Sequence, residues 1–240
     1  MRILYFDCFA GLREDMVLGA LLQAGVSEDY LREQLKSLNI EGYQIRIYRE
    51  RDSFFTSRVE IVNREQSQFA FQDIVHLIES SSVSAYVKEK VLNIFTTLAQ
   101  AESKVKGLPP ELVQFSQLNI FKTVLSIAGI AICIEKFAPD KILMSPLSLG
   151  SGLMNTPDGW MPVPSPVTAE LVKNMPVKLG PVEGELVTPL GAALVSVFVD
   201  HFGPPPVIVP SSLGYGRGSG DHGIPNILRV IVGEVDDAPE

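Results

Sequence analysis

The sequence predicts a mixed α/β fold, in which helices pack on a mixed β-sheet around one buried central helix. Helix-type and strand-type patterns alternate along the 240 residues. The chain opens on a short apolar, β-prone segment, residues 2–6, which is typical of a buried strand. Residues 111–137 contain an uncharged stretch from Thr123 to Ile134 that is apolar on nearly every side, as in a buried helix. This stretch is shorter than the roughly 20 residues that cross a bilayer, so we expect a core helix.

Composition limits the class of protein and its partners. The chain is 46% hydrophobic and carries a net charge of −8, which disfavours nucleic acid or an anionic membrane as a partner. Cys8 and Cys133 stand far apart in apolar surroundings, which predicts reduced thiols. Asp7 interrupts the first apolar segment, so we expect a strand and not a signal peptide, and a soluble cytoplasmic protein. We expect one domain over residues 1–234, with a subdomain seam near Gly150 and an acidic tail at 235–240.

Hydrophobic periodicity and capping residues place the other elements. We predict helices at residues 16–24, 28–38, 71–79, 85–106, 168–173 and 190–202. We predict strands at 43–49, 57–63, 141–144, 146–149, 207–209 and 226–232. The Gly- and Pro-rich residues 150–166 predict an irregular loop, and residues 214–220 a glycine-rich loop between the last two strands.

Two acidic residues suggest a cation site. Asp7 follows the first strand, at the end where α/β folds bind their ligands, and Asp15 begins the next helix. Together they could share a hard cation. The alternative is that Asp15 caps the helix and Asp7 holds the loop.

Two other segments could bind a ligand. Gly214, Gly216, Arg217 and Gly218 could form a backbone nest for a phosphate, although a tight turn explains the same glycines. Trp160 could stack on a flat ligand or anchor its loop.

The histidines give a weaker signal. His76, His201 and His222 lack metal-ligand spacing, and only His222, beside Asp221, is a candidate site residue.

Several motifs occur together in one order along the chain. They are Tyr5 to Gly11 with Asp15, residues 146–152, residues 162–166, residues 183–193, and residues 214–216 with 224–229. In this set the chain resembles the N-terminal region of the LarC-type nickel-insertion proteins. These load nickel into the pyridinium bisthiocarboxylate pincer cofactor of lactate racemase. The resemblance implies a chelatase-type maturation protein, with nickel or manganese as its metal and the cofactor precursor or its maturation proteins as partners. We expect no counterpart of the family's further C-terminal domain after Glu234.

The chain departs from the family pattern at metal-binding positions. Imidazole and carboxylate groups hold nickel or manganese, and this chain has other side chains at several of those places. The histidine-rich run is absent from residues 64–70, and the opening Ser-Gly is replaced by Arg13 and Glu14. Gln114, Phe115, Ser116 and Gln117 stand where the family has His-Phe-His-Glu. Lys122 and Ser126 stand at two acidic positions of the family, and Asp158 stands at the His of the proline loop.

Three hypotheses follow for the function. The first is a degenerate family member that keeps the fold and acts as a binding or assembly partner. The second is an active metal-transfer component with Asp7, Asp15, Asp158 and either Asp221 or His222, where oxygen ligands would favour manganese or magnesium over nickel. The third is an enzyme that binds a phosphate or nucleotide at Gly214 to Gly220. An exposed apolar helix face would favour a homo-oligomer.

Overall fold

The computed structural model describes residues 1–51, 54–63, 71–115, 119–156, 159–220 and 222–235. It confirms a mixed α/β fold. The strands are β1 Arg2–Asp7, β2 Tyr43–Arg51, β3 Phe55–Asn63, β4 Lys141–Met144, β5 Leu147–Ser151, β6 Leu153–Thr156, β7 Gly159–Pro162, β8 Val177–Glu185, β9 His201–Phe202, β10 Val209–Arg217 and β11 Ile227–Glu234. The helices are α1 Glu14–Gln23, α2 Glu28–Lys36, α3 Phe71–Ser80, α4 Ala85–Lys106, α5 Ile120–Phe137, α6 Pro166–Leu171 and α7 Pro189–Phe198.

Seven strands form the main sheet, in the order β2-β3-β10-β11-β1-β4-β9. Strand β1 lies inside this sheet, parallel to β4 and antiparallel to β11. Because side chains alternate along a strand, Leu4 and Phe6 join the main core with the helices. Ile3 and Tyr5 point the other way into a small separate cluster. We call these two sides the helix face and the open face of the sheet.

The predicted core helix is α5, and the prediction that it is buried is confirmed. Nearly all of its residues, from Ile120 to Phe137, are buried. The helix begins later than the sequence pattern suggested. Residues Pro110–Leu112 form a separate 3₁₀ turn, and Asn119 caps α5 by accepting a hydrogen bond from the Lys122 amide at 3.0 Å. The predicted start at residue 111 is therefore wrong, because an Asx cap sets the first turn. Ser116 and Gln117 lie outside the described residues.

The glycine-rich segment is mostly strand, so the predicted loop at 214–220 is wrong. Gly214 and Gly216 lie in β10, in register with Val230 and Leu228 of β11. A Cβ on Gly214 would stand 1.9 Å from the Ala20 carbonyl oxygen of α1. The glycines therefore let helix α1 lie directly on the backbone of the sheet.

The segment after Gly150 is also more regular than predicted. Residues 153–156 and 159–162 form the antiparallel pair β6–β7, and the unpredicted strand β8 pairs with β5. The prolines of residues 150–166 predicted an irregular loop. However, both strands of a two-stranded ribbon are edge strands, where proline is tolerated. Trp160 lies on β7 with 71% of its surface exposed, so it does not anchor the loop by burial.

Two whole-chain expectations can be compared with the structure. Both cysteines are free and buried, and burial raises the pKa of each thiol. Among the described residues, no helix is long and apolar enough to cross a membrane. The division into residues 1–234 and a tail stays a prediction.

Candidate functional site

A polar crevice opens where two strands of the main sheet meet two helix starts. The crevice has a volume of about 120 Å³ and is bounded by β3, by the chain that leaves β10, and by the first turns of α1 and α5. Open α/β sheets commonly bind ligands at strand ends of this kind. The lining residues are Arg13, Glu14, Asp15, Leu18, Arg58, Val59, Glu60, Ile61, Lys122, Ser126 and Ser219.

Asp15 fastens the start of α1 to the chain that leaves β10. Its Oδ2 accepts a hydrogen bond from the Ser219 amide at 3.0 Å, and its Oδ1 accepts one from the Met16 amide at 2.9 Å. Arg13 donates from Nη2 to Ser219 Oγ at 3.2 Å, and its Nε lies 3.6 Å from Asp15 Oδ1. Both carboxylate oxygens of Asp15 therefore have protein partners, and a cation would have to compete with them.

Glu14 places a second carboxyl group at the same helix start. Its Oε2 is buried and finds no hydrogen-bond partner among the described residues. Burial, followed by the neighbouring Asp15 charge, raises the pKa of Glu14, while Arg13 and Lys122 act in the opposite direction. Arg13 and Lys122 therefore add positive charge to the lining of the crevice.

Glu185, at the end of β8, extends this charged region. Burial raises the pKa of Glu185, and the Glu14 carboxylate raises it further. Hydrogen bonds from Ser165 and Thr168, together with the charge of Arg13, lower it. Glu185 Oε1 is buried without a partner in the described part of the chain. Glu185 lies within the motif at residues 183–193, but no role is predicted for it from the sequence. The signal that could have marked it is its position just before Thr188, the cap of α7.

His222 packs against the same strand. Gly184 has a φ of +102°, and a Cβ built there would stand 2.8 Å from His222 Nδ1. Because residue 184 is glycine, the imidazole can lie against β8. Gly184 is next in sequence to Glu185. His222 Nε2 is buried and has no hydrogen-bond partner within the described ranges. The neighbouring Asp221 lies outside the described residues.

Asp7 does not join Asp15. Asp7 ends β1 on the open face, where it accepts a hydrogen bond from Arg229 Nη2. Asp15 lies on α1, which packs against the helix face. Among residues 1–51, 54–63, 71–115, 119–156, 159–220 and 222–235, no three His, Cys, Asp or Glu side chains are arranged to hold a metal ion. Asp158, the third predicted ligand, lies outside those ranges, so the metal role of these aspartates stays a prediction.

The departures from the family pattern do converge. Arg13, Glu14, Lys122 and Ser126, the positions at which the resemblance implies a departure, all line the one crevice. Gln114 is exposed and precedes α5.

The predicted phosphate nest requires a glycine-rich loop, but residues 214–217 belong to strand β10. Gly218, just after β10, packs against Met16, and Arg217 forms an ion pair with Glu50 at 3.2 Å. Phosphate binding by Gly214, Gly216, Arg217 and Gly218 stays a prediction, now without a loop to support it.

The fold and the crevice are compatible with a protein of the metal-insertion class, and comparison with known sequences gives the family. A family model described as nickel insertion protein matches residues 4–240. The chain belongs to the nickel insertion protein family, which confirms the resemblance stated above.

Curated relatives agree with this assignment. The chain is 37% identical over 237 residues to a putative nickel insertion protein of Dictyoglomus thermophilum, covering 98% of this chain and 61% of that protein. It is 40% identical over 241 residues to a putative nickel insertion protein of Geotalea uraniireducens, covering 98% of this chain and 61% of that one. A third relative, the pyridinium-3,5-bisthiocarboxylic acid mononucleotide nickel insertion protein of Clostridium kluyveri, is 36% identical over 98% of this chain and 62% of its own length.

The chain therefore spans about three fifths of the length of these relatives. No solved structure matches the chain.

Proposed function

We propose that this chain acts in maturation of the nickel-pincer cofactor as a binding scaffold whose crevice does not hold nickel tightly. Its ligand is the pyridinium-3,5-bisthiocarboxylic acid mononucleotide, the compound named in the relatives from Clostridium kluyveri and Desulfitobacterium hafniense, or a protein that carries it. Membership of the nickel insertion family supports the pathway, and the crevice supports the scaffold role.

One observation carries this proposal: the cationic side chains of Arg13 and Lys122 line the same crevice as the carboxylates of Glu14 and Asp15. Nickel, as the cargo, needs several imidazole or carboxylate ligands. Here Asp15 is committed to backbone amides and to Arg13, and Lys122 would repel a divalent cation. Neutral Ser126 adds only a weak ligand.

A second candidate is an active metal-transfer component. The observation in its favour is that Glu14 Oε2, Glu185 Oε1 and His222 Nε2 are buried without partners in the described part of the chain. Buried polar atoms are normally paired, so such atoms can mark a missing ligand. These groups are not arranged around a metal ion in the described residues, so a metal ion would have to draw them together with Asp15. Mainly oxygen donors would then suit manganese better than nickel.

The two candidates are separated by offering both substrates to the purified chain. Calorimetry measures binding of the mononucleotide, and mass spectrometry measures nickel incorporation after nickel chloride is added. The scaffold proposal predicts that the mononucleotide binds and gains no nickel above the rate without protein.

Nickel insertion that Asp15→Asn reduces would establish the second candidate instead. Failure to bind the mononucleotide would contradict both candidates, provided that circular dichroism shows the chain folded. The matched control for Asp15→Asn is Asp140→Asn, since that carboxylate also accepts a backbone amide hydrogen bond, from Arg2, but lies outside the crevice.

A further inference from the structure

Strand β2 forms one edge of the main sheet. In the described part of the chain it is the last strand of the seven and pairs only with β3. It is nine residues long, from Tyr43 to Arg51. An edge strand presents a row of backbone N–H and C=O groups, and these can pair with another extended chain. The edge of β2 is therefore a candidate docking surface.

Two hydrogen bonds show which residues of β2 face away from β3. The carbonyl oxygen of Ile45 accepts a hydrogen bond from Arg32 Nη2 of helix α2 at 2.8 Å. Phe55 lies opposite Arg51, and its carbonyl oxygen accepts one from Gln23 Nε2 at 3.0 Å. The same Gln23 side chain bonds strand β10, which neighbours β3 on the side away from β2. Because opposed residues of an antiparallel pair either bond each other or both face outward, the odd-numbered residues of β2 present their backbone groups at the edge.

Helix α2 covers only the first half of this edge. Arg32 occupies the Ile45 carbonyl oxygen, whereas among the described residues no side chain forms a hydrogen bond with the backbone of residues 47–51. The backbone groups of this second half are therefore available to another chain. We call residues 47–51 the free edge.

A groove lies beside the free edge on the helix face of the sheet. Its volume is about 460 Å³, and its apolar lining comes from Leu22, Val26 and Ile47. Arg49 and Phe55 also line it. Ligand pockets commonly measure roughly 300–1,000 Å³, so the groove has room for a large side chain. A strand added at the free edge would place every second side chain on this side of the sheet.

The groove side of the free edge is positively charged. Arg49 is exposed, and in the described part of the chain it has no ion-pair partner. The guanidinium of Arg51 lies over the exposed Phe55 ring, 5.1 Å from its centroid. Both arginines stand at odd-numbered positions, whereas Glu50 alternates to the open face. Carboxylates on the groove side of an added strand would therefore meet two cations.

Charge and backbone chemistry select among the occupants of this edge. A second copy of β2 would oppose strands that each carry three arginines and one glutamate, and opposed like charges are destabilising. A nucleic acid has no peptide groups to match the edge and would be repelled by a chain of net charge −8. An extended acidic segment of a protein matches both the backbone groups and the arginines.

We propose that the free edge binds an acidic segment of a partner protein as an added strand of the main sheet. One apolar side chain of the segment enters the groove against Ile47. Carboxylates two and four residues away from it meet Arg49 and Arg51. The crevice lies at the start of α1 and this groove at its end, and the proposal does not depend on the function proposed above.

Fluorescence anisotropy with labelled peptides tests this proposal on the purified chain. The probes are Thr-Glu-Thr-Glu-Thr-Leu-Thr and its reverse, since an added strand can run in either direction. We expect at least one of them to bind, and added salt to weaken binding. Replacing both glutamates by glutamine should weaken it by about fivefold or more. Exchanging the leucine with a neighbouring threonine moves it to the other face and should weaken binding by a similar factor.

Two substitutions of Arg49 separate the side chain from the backbone. Arg49→Gln keeps the outward N–H and should weaken binding by about threefold. Arg49→Pro also removes that N–H and should abolish binding, although edge strands tolerate proline. Arg46→Gln is the matched control, since this arginine of the same strand alternates to the open face. It should leave binding within about twofold of the original.

Thermal melts show whether each variant is folded, and a peptide N-methylated at alternate residues gives the backbone test without altering the protein. The proposal is overturned if neither peptide binds, if N-methylation has no effect, or if Arg46→Gln weakens binding as much as Arg49→Gln. It is also overturned if oligothymidylate competes as strongly as the peptide, which would assign the arginines to nucleic acid. A dimer that Arg49→Pro dissociates would assign the edge to a second copy and overturn it as well.

Discussion

Replacing Gly216 by alanine should disrupt the packing that joins helix α1 to the sheet. A Cβ at this position would stand 1.7 Å from the Met16 carbonyl oxygen and 2.7 Å from the Ala20 amide nitrogen, whereas ordinary contact begins near 3.4 Å. Both neighbours are backbone atoms of α1, so no side-chain rotation can relieve the clash. The helix would have to move away by roughly 1.5 Å along part of its length.

The expected loss follows from that displacement. Overpacking commonly costs about 1–3 kcal/mol, and a backbone-on-backbone clash belongs at the upper end, near 3 kcal/mol. Denaturant unfolding followed by circular dichroism measures the change in the free energy of unfolding. Because α1 also carries Glu14 and Asp15 into the crevice, ligand binding there should weaken in the same variant.

Gly203→Ala is the control for this substitution. A methyl group added at Gly203 would meet no atom within 4 Å, and the backbone there has no positive φ. Alanine at this position should therefore change the free energy of unfolding by less than about 0.5 kcal/mol. A Gly216→Ala protein that is as stable as Gly203→Ala would refute the packing argument.

The remaining predictions concern the crevice, the α5 cap and the exposed tryptophan. Since burial raises the pKa of Glu14 above its ordinary 4.5, the unfolded chain loses this proton first, and stability falls as pH rises above that value. Glu14→Gln should therefore flatten this decline in denaturation curves measured from about pH 4 to 8, whereas an unchanged slope would show that Glu14 is solvated. Asn119→Ala removes the cap of α5 and should lower the free energy of unfolding by about 1 kcal/mol. No measurable loss would show that other contacts hold the first turn of the helix. Trp160→Ala should change stability by less than about 0.5 kcal/mol because the ring is exposed, and a larger loss would indicate buried packing.

Local patterns predicted the fold where one segment determines its own structure. The predicted range 85–106 agrees with α4, which Ser84 caps and Gly107 ends. The predicted start at 190 lies within one residue of the start of α7, which Thr188 caps and where Pro189 is the first residue. The uncharged run of α5 also predicted a buried helix correctly.

Tertiary packing explains where prediction failed. The glycines of β10 suggested a loop, but they serve close contact with α1, which no local pattern reveals. Asp7 and Asp15 are near in sequence, yet strand alternation sends Asp7 to the open face. Residues 153–156 and 159–162 needed a partner strand to be recognised as an antiparallel pair.

The candidate site was predictable only in part. The resemblance marked Arg13, Glu14, Lys122 and Ser126 as unusual, and the structure adds that they line one crevice. Glu185 reaches that region from β8, a strand far away in sequence, so its electrostatic coupling to Glu14 required the tertiary fold.

Calorimetric titration of nickel tests the central claim, that the crevice does not hold nickel tightly. We expect no micromolar nickel site in the natural chain. Lys122→Glu combined with Ser126→Glu, which places acidic groups at both α5 positions, should create measurable nickel binding. Lys136→Glu, at the far end of α5, gives the control for a change of charge on the same helix. A micromolar or tighter nickel site in the natural chain, lost in Asp15→Asn, would contradict the account.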